Sequence, residues 1–152
     1  MSKTRSPWAP LPLRLVIGFS FMYHGWPKLF TSAGHSGFVA NLQGIGVPAP
    51  ELAGWALAVV EVFGGLALLV GAFTMVVAGL LIIHQIVALL TVHLGAGFSF
   101  VHVTGMTAAG PQFGLPGYEV NMLFIAGLLA LLLGGPGAAS VDTARTRPAG
   151  AL

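Results

Sequence analysis

The sequence predicts an all-α integral membrane protein: a bundle of four transmembrane helices with its termini in the cytoplasm and two longer loops on the outer side. Two observations carry this. Of the 152 residues, 56% are hydrophobic and only 7% are charged, whereas a soluble domain carries about 25% charged residues. So few charges cannot cover a surface that faces water. The apolar residues also fall into four runs near membrane length, a span needing about 20 residues at roughly 1.5 Å each. The length fits one compact bundle.

Residues 1–10 hold Lys3, Arg5, Pro7 and Pro10 and read as a short cytoplasmic tail. The first span runs from about 11 to 30. It is not a signal peptide, because Arg14 interrupts its apolar core and no small-x-small cleavage site follows. Pro27 is expected to kink or end it. Residues 31–50 are too rich in Gly, Pro and polar groups to span. Within them, Phe38 to Ile45 is expected to form one or two interfacial turns. The second span is 52–70 and the third 75–94, joined by a tight connection at 71–74. A long loop, 95–118, ends in Pro116-Gly117-Tyr118. The fourth run, 120–133, reaches membrane length only if Gly134 to Gly137 extend it to 137. The bundle domain thus covers 11–142, and residues 143–152 are expected to be a disordered tail.

Four spans place both termini on one side. That side carries Lys3, Arg5, Arg14, Arg145 and Arg147, and the other only Lys28. The positive-inside rule then orients the termini to the cytoplasm, which in a bacterium gives a multi-pass protein of the inner membrane.

The chain has no Cys, which removes disulfides, thiolate metal sites, Fe–S clusters and CxxC chemistry. Any redox role therefore uses a bound cofactor or a diffusing carrier. A net charge of +2 is too small for a nucleic-acid footprint. No phosphate loop, GxSxG or HExxH motif is present.

Ionisable residues inside a membrane mark function by default. Glu61 and His84 each lie about ten residues into their spans, near the midplane. His24, Lys28, His93, Glu119 and Asn121 lie toward the outer face. Arg14 and Asp142 lie at the cytoplasmic face, where they are expected to form a structural ion pair. At about 100° per residue, Gly54, Ala58, Gly65 and Ala72 share the face of Glu61. Ala88, Thr91 and Gly95 share that of His84. Small residues let helices approach closely in lipid, so a packed Glu61–His84 pair is expected, either structural or proton-handling. Glu119 begins a helix, where it complements the dipole or pairs with Lys28. His35 and His102 read as loop residues without a role. Five His invite a bis-His haem, but ligation needs two at similar depth facing each other. His84 and His93, nine apart, fall on opposite faces of one helix; His24 and His93 could approach. One mid-depth His and one mid-depth Glu do not make a metal site.

These residues resemble a family. Arg14-Leu15, Gly18, Tyr23-His24-Gly25 and Lys28-Leu29-Phe30 are similar to the opening motif of DoxX, a family of small bacterial membrane proteins. Glu61, Gly64-Gly65, Leu68 and Gly71 resemble its second motif. Pro116-Gly117-Tyr118-Glu119, Gly135-Pro136-Gly137, Ser140 and Asp142 resemble its last. The resemblance runs from about Leu13 to Asp142. It implies four membrane helices, a polar set of Arg14, His24, Lys28, Glu61, Glu119 and Asp142, and an association with membrane redox chemistry, since the related DoxD protein is a subunit of thiosulfate:quinone oxidoreductase. His84 is assigned from depth and phase alone.

The expected function is a subunit of a quinone-linked redox system. It would work with other membrane or redox proteins and take quinone as its ligand. Glu61 and His84 would be catalytic, and His24, Lys28, His93, Glu119 and Asn121 would line the ligand. The alternative is a non-catalytic structural subunit of a larger complex. A homo-oligomeric channel is the third reading, although no acidic ring, inverted repeat or broken-helix pair is visible.

Overall fold

A computed structural model describes residues 6–146. Its long helices are α1 (Pro10–Phe30), α3 (Pro50–Val70), α4 (Thr74–Ala88) and α5 (Glu119–Gly134). Shorter pieces are α2 (Ser32–Gly44) and α6 (Val141–Thr146). A hairpin of β1 (Val103–Thr107) and β2 (Gly110–Phe113) lies between α4 and α5.

Among the described residues two helical stretches are long and apolar enough to cross a membrane: Pro50–Val70 and Thr74–Ala96, with mean hydropathy 2.0 and 2.4. The second includes a π turn at Leu89–His93 and a 3₁₀ turn at Leu94–Ala96 that continue α4. α5 is apolar but has only 16 residues, about 24 Å at helical rise. It stops at Gly134 rather than 137, because Gly135 and Gly137 adopt φ of 80° and 73°, which a right-handed helix does not contain.

α1 packs on α3, α3 on α4, α4 on α5, and α5 back on α1. The core between them contains Ile17, Phe21, Leu68, Leu81, Leu128 and Leu131. Outward faces carry large exposed side chains such as Val16, Phe63, Ile83 and Leu133. Exposed apolar surface on this scale suits a lipid surround.

Several expectations change. α1 runs through Pro27 to Phe30. Both the amide and the hydroxyl of Thr31 then donate to the Pro27 carbonyl, at 3.1 and 2.8 Å. The one or two turns expected over 38–45 are a 13-residue helix, started by the Thr31 hydroxyl accepting from the Gly34 amide at 3.0 Å. Residues 143–146 belong to α6, while Lys3, Arg5, Arg147 and the rest of the expected tail lie outside the described residues. On α3 the buried face contains Gly54, Ala58, Glu61, Gly65 and Leu68, so the small-residue stripe exists, but Ala72 lies past the Gly71 cap. On α4 the buried face is Thr74, Ala78, Leu81 and Gln85. Thr91 and Gly95 are exposed, because the π turn breaks the 100° phase.

The long helices α1 and α3 cross closely. A Cβ on Gly65 would stand 2.6 Å from the Gly18 carbonyl oxygen, and one on Gly18 would meet the Gly65 oxygen at the same distance. A Cβ on Gly25 would stand 2.7 Å from the Glu61 Cβ. These glycines set how close Glu61 comes to α1. Gly18→Ala is therefore expected to cost about 1–3 kcal/mol of stability through overpacking. Gly79 on α4 has nothing within 4 Å of an added Cβ, so Gly79→Ala should be neutral or slightly stabilising. Thermal denaturation of both variants in detergent checks this; equal melting temperatures would contradict the packing.

Candidate functional site

One end of the molecule gathers the start of α1, the end of α3, the start of α4 and the end of α5. Arg14 is 1% exposed there. Its Nε donates to the Leu68 carbonyl at 2.9 Å. Nη2 donates to Leu69 and Ala139, at 2.9 and 3.1 Å, and Nη1 to Pro136 and Ala138, at 2.9 and 3.4 Å. A guanidinium carries five N–H donors, and here they meet the Leu68 and Leu69 carbonyls in the last turn of α3 and three carbonyls of the chain that follows α5. The negative end of the α3 dipole helps balance its charge. Gly71 makes room, since a Cβ there would lie 2.7 Å from the Arg14 guanidinium carbon.

Asp142 does not pair with Arg14 as the sequence suggested. Its two oxygens accept from the amides of Phe73 and Thr74, both at 2.8 Å. The acid thus caps the start of α4. Phe73 has φ 50°, a left-handed conformation that costs a bulky residue about 1–2 kcal/mol. Two charge-assisted hydrogen bonds, about 1.5–3 kcal/mol each, outweigh that cost. The expected ion pair fails because each charge finds a helix end of the opposite sign nearer than the other side chain.

At mid-depth Glu61 and His84 do meet: His84 Nε2 lies 2.8 Å from Glu61 Oε1. Lys28, expected at the outer level with Glu119, joins them instead. Its Nζ donates to both Glu61 oxygens at 2.6 and 2.7 Å and lies 4.3 Å from the Phe38 ring centre on α2. Glu119 Oε2 instead accepts from the Phe100 amide at 2.9 Å, at the start of α5. Glu61 is buried, and one carboxylate meets two cationic or hydrogen-bonding partners from α1 and α4. Its desolvation is thereby offset, as a buried charge requires. His84 Nδ1 is buried with no hydrogen-bond partner among the described residues.

The three residues line a cleft of about 290 Å³, together with His24, His93 and Asn121. Phe21, Phe100 and Phe124 add aromatic walls. His84 and His93 share this cleft although simple helical phase opposes them, because the π turn at Leu89–His93 adds a residue to the turn. His93 Nδ1 donates to the Pro116 carbonyl at 2.8 Å. Asn121 is buried and donates to Gln85 Oε1 at 2.7 Å. Gln85 is a cleft residue the sequence reading missed; its place one turn before Leu89 on the α4 core face is the signal that could have found it.

His35 was also missed. It is buried on α2, its Nδ1 2.9 Å from the Lys28 carbonyl and its Nε2 3.3 Å from Glu51. His102 Nδ1 donates to the Leu115 carbonyl at 2.9 Å. Among the described residues no group of three or more His, Asp and Glu is placed to hold a metal ion.

The fold and site define an apolar helical membrane protein with a Lys–Glu–His centre built on the buried Glu61. Residues 9–94 match the DoxX family, and the chain belongs to it. The match takes in the first two motifs; Pro116 to Asp142 lie beyond it. The chain is also 30% identical to the inner membrane protein YphA of Escherichia coli (strain K12) over 131 residues, 85% of this chain and 84% of the relative. No solved structure matches it. The chain is an inner-membrane protein.

Two outcomes follow from the charges. Lys28→Met leaves Glu61 facing His84 alone in a buried site; it should cost about 3–5 kcal/mol, and adding Glu61→Gln should recover part of that, read by thermal melts of the two variants. For Asp142, burial pushes the carboxyl up, but the Thr74 and Phe73 amides and Arg145 outweigh this and hold it below its ordinary value. A lowered folded pKa stabilises above the ordinary carboxyl value, about 3.9, and that stabilisation is lost as pH falls through the folded value. Asp142→Asn should therefore melt lower than wild type at neutral pH, with the gap closing in acid. A gap that stays constant down to acid would refute the capping charge.

Proposed function

We propose that this DoxX-family protein crosses the inner membrane with four helices, termini in the cytoplasm, and serves as a subunit of a quinone-linked redox system. The positive residues at the Arg14 end support the orientation. The observation that carries the function is the buried, unpartnered Nδ1 of His84 beside Glu61 in a cleft with aromatic walls. With Glu61 accepting from Nε2–H, the imidazole is held in the tautomer whose Nδ1 is a free base. An unmet buried acceptor costs about 1–3 kcal/mol, which a quinol hydroxyl donating to Nδ1 would relieve. Proton transfer to that nitrogen is general-base chemistry, with Glu61 orienting the ring and Lys28 fixing Glu61. His24, His93, Glu119 and Asn121 would shape the entrance and the headgroup contacts. The chain needs no redox group of its own in this reading, since the electrons pass to a partner protein.

The bidentate grip of Lys28 on Glu61 favours a second reading. A buried, geometrically fixed ion pair can serve to specify packing alone, making the chain a structural subunit of a larger complex.

Titrating a short-chain quinol into the protein in nanodiscs, with Trp26 and Trp55 fluorescence as the readout, separates the two. Saturable binding that weakens at least about tenfold, or about 1.4 kcal/mol, in His84→Ala is expected for the quinone reading. No saturation, or equal affinity in His84→Ala and Glu61→Gln, would leave only the structural one. Analysis of what copurifies would then identify the partner.

A further inference from the structure

The segment between α4 and α5, residues 95–118, contains no Asp, Glu, Lys or Arg. Its apolar side chains Phe98, Phe100, Val103, Met106, Phe113 and Leu115 are all exposed, from 48% to 76%. The hairpin has little contact with any helix among the described residues, yet its base is firmly tied. Gly117 donates to the Ser99 carbonyl and Glu119 to that of Phe98, both at 3.0 Å, and Phe100 and Pro116 border the cleft. The exposed apolar surface continues from Leu90 and Leu94 at the end of α4, where a membrane-length apolar stretch ends.

We propose that this hairpin lies in the membrane interface, its apolar side chains among the headgroups and upper acyl chains of the adjoining leaflet. Three features select that occupant. The apolar side chains share one face: Val103 pairs with Phe113, and Met106 with Pro111, two residues from Phe113 along β2. A protein adding along one edge would leave that face bare. The segment is uncharged, so it matches neutral lipid rather than an ionic partner. A two-stranded sheet also has open backbone edges, which exclude it from the hydrocarbon core but not from the hydrated interface. Apolar faces at that level sit about 5–10 Å into the headgroup–acyl boundary. This placement is independent of whether the cleft takes a quinol.

The absence of Cys allows a single label. Met106→Cys and, separately, Phe113→Cys would carry an environment-sensitive fluorophore in full-length protein in phospholipid nanodiscs. Thr146→Cys, exposed on α6, serves as the control. Quenching by lipids with a nitroxide high on the acyl chain should exceed quenching by aqueous iodide severalfold at 106 and 113, with the order reversed at 146. Replacing anionic by zwitterionic lipid should leave this unchanged. Dominant iodide quenching at both hairpin sites would overturn the proposal. So would shielding from both quenchers, the mark of a second copy or a partner protein.

Discussion

A carboxylate in an apolar solvent must find its partners within the protein, and Glu61 finds them on two other helices. Lys28 comes from α1 and His84 from α4, so this contact joins three of the four long helices at mid-depth. It depends on a steric condition. Lys28 reaches Glu61 because Gly18, Gly25 and Gly65 bring α1 against α3 with almost no side chain between. The glycines therefore set the distance, and the charges set the register. Either alone would leave the other costly: a close approach without the pair has no polar preference, and the pair without the approach would leave a lone buried ion.

The opposite end solves the same problem with backbone. Arg14 is buried as deeply as Glu61 but meets no acid. Its donors meet the last turn of α3 and the chain after α5, and Asp142 completes a helix N-terminus a short distance away. Backbone dipoles cost no side-chain entropy to position, so they hold these charges better than an ion pair between two flexible side chains. A satisfied charge of this kind has nothing left to offer a ligand. The contrast with the Glu61 centre is chemical: there one ring nitrogen remains unmet, and a cleft lies beside it.

This difference explains what could be read from the sequence. Depth and helical phase were enough to bring Glu61 and His84 together, because both are short-range properties of regular helices. Lys28 was placed one level too far out, since depth counted along the backbone ignores the four-carbon stem of lysine. Asp142 is expected to pair with a side chain where the structure gives it the backbone amides of Phe73 and Thr74, because helix ends become donors only once their boundaries are known. His35 looked like a loop residue while residues 31–50 looked irregular; an unexpected α2 makes it the bridge from Lys28 to Glu51.

The π turn at Leu89–His93 is the least legible feature and the one with most effect on the site. No Pro or Gly marks it, so nothing local in the sequence announces it. Its effect is geometric. A straight helix would turn His93 away from His84, leaving the cleft with one histidine from α4. The widened turn swings His93 onto the same side, where the Pro116 carbonyl fixes its ring. The bonds at the hairpin's base hold the chain on both sides of that carbonyl. A ring fixed in this way borders the cleft without moving into it, so His93 shapes the entrance while His84 keeps the open nitrogen.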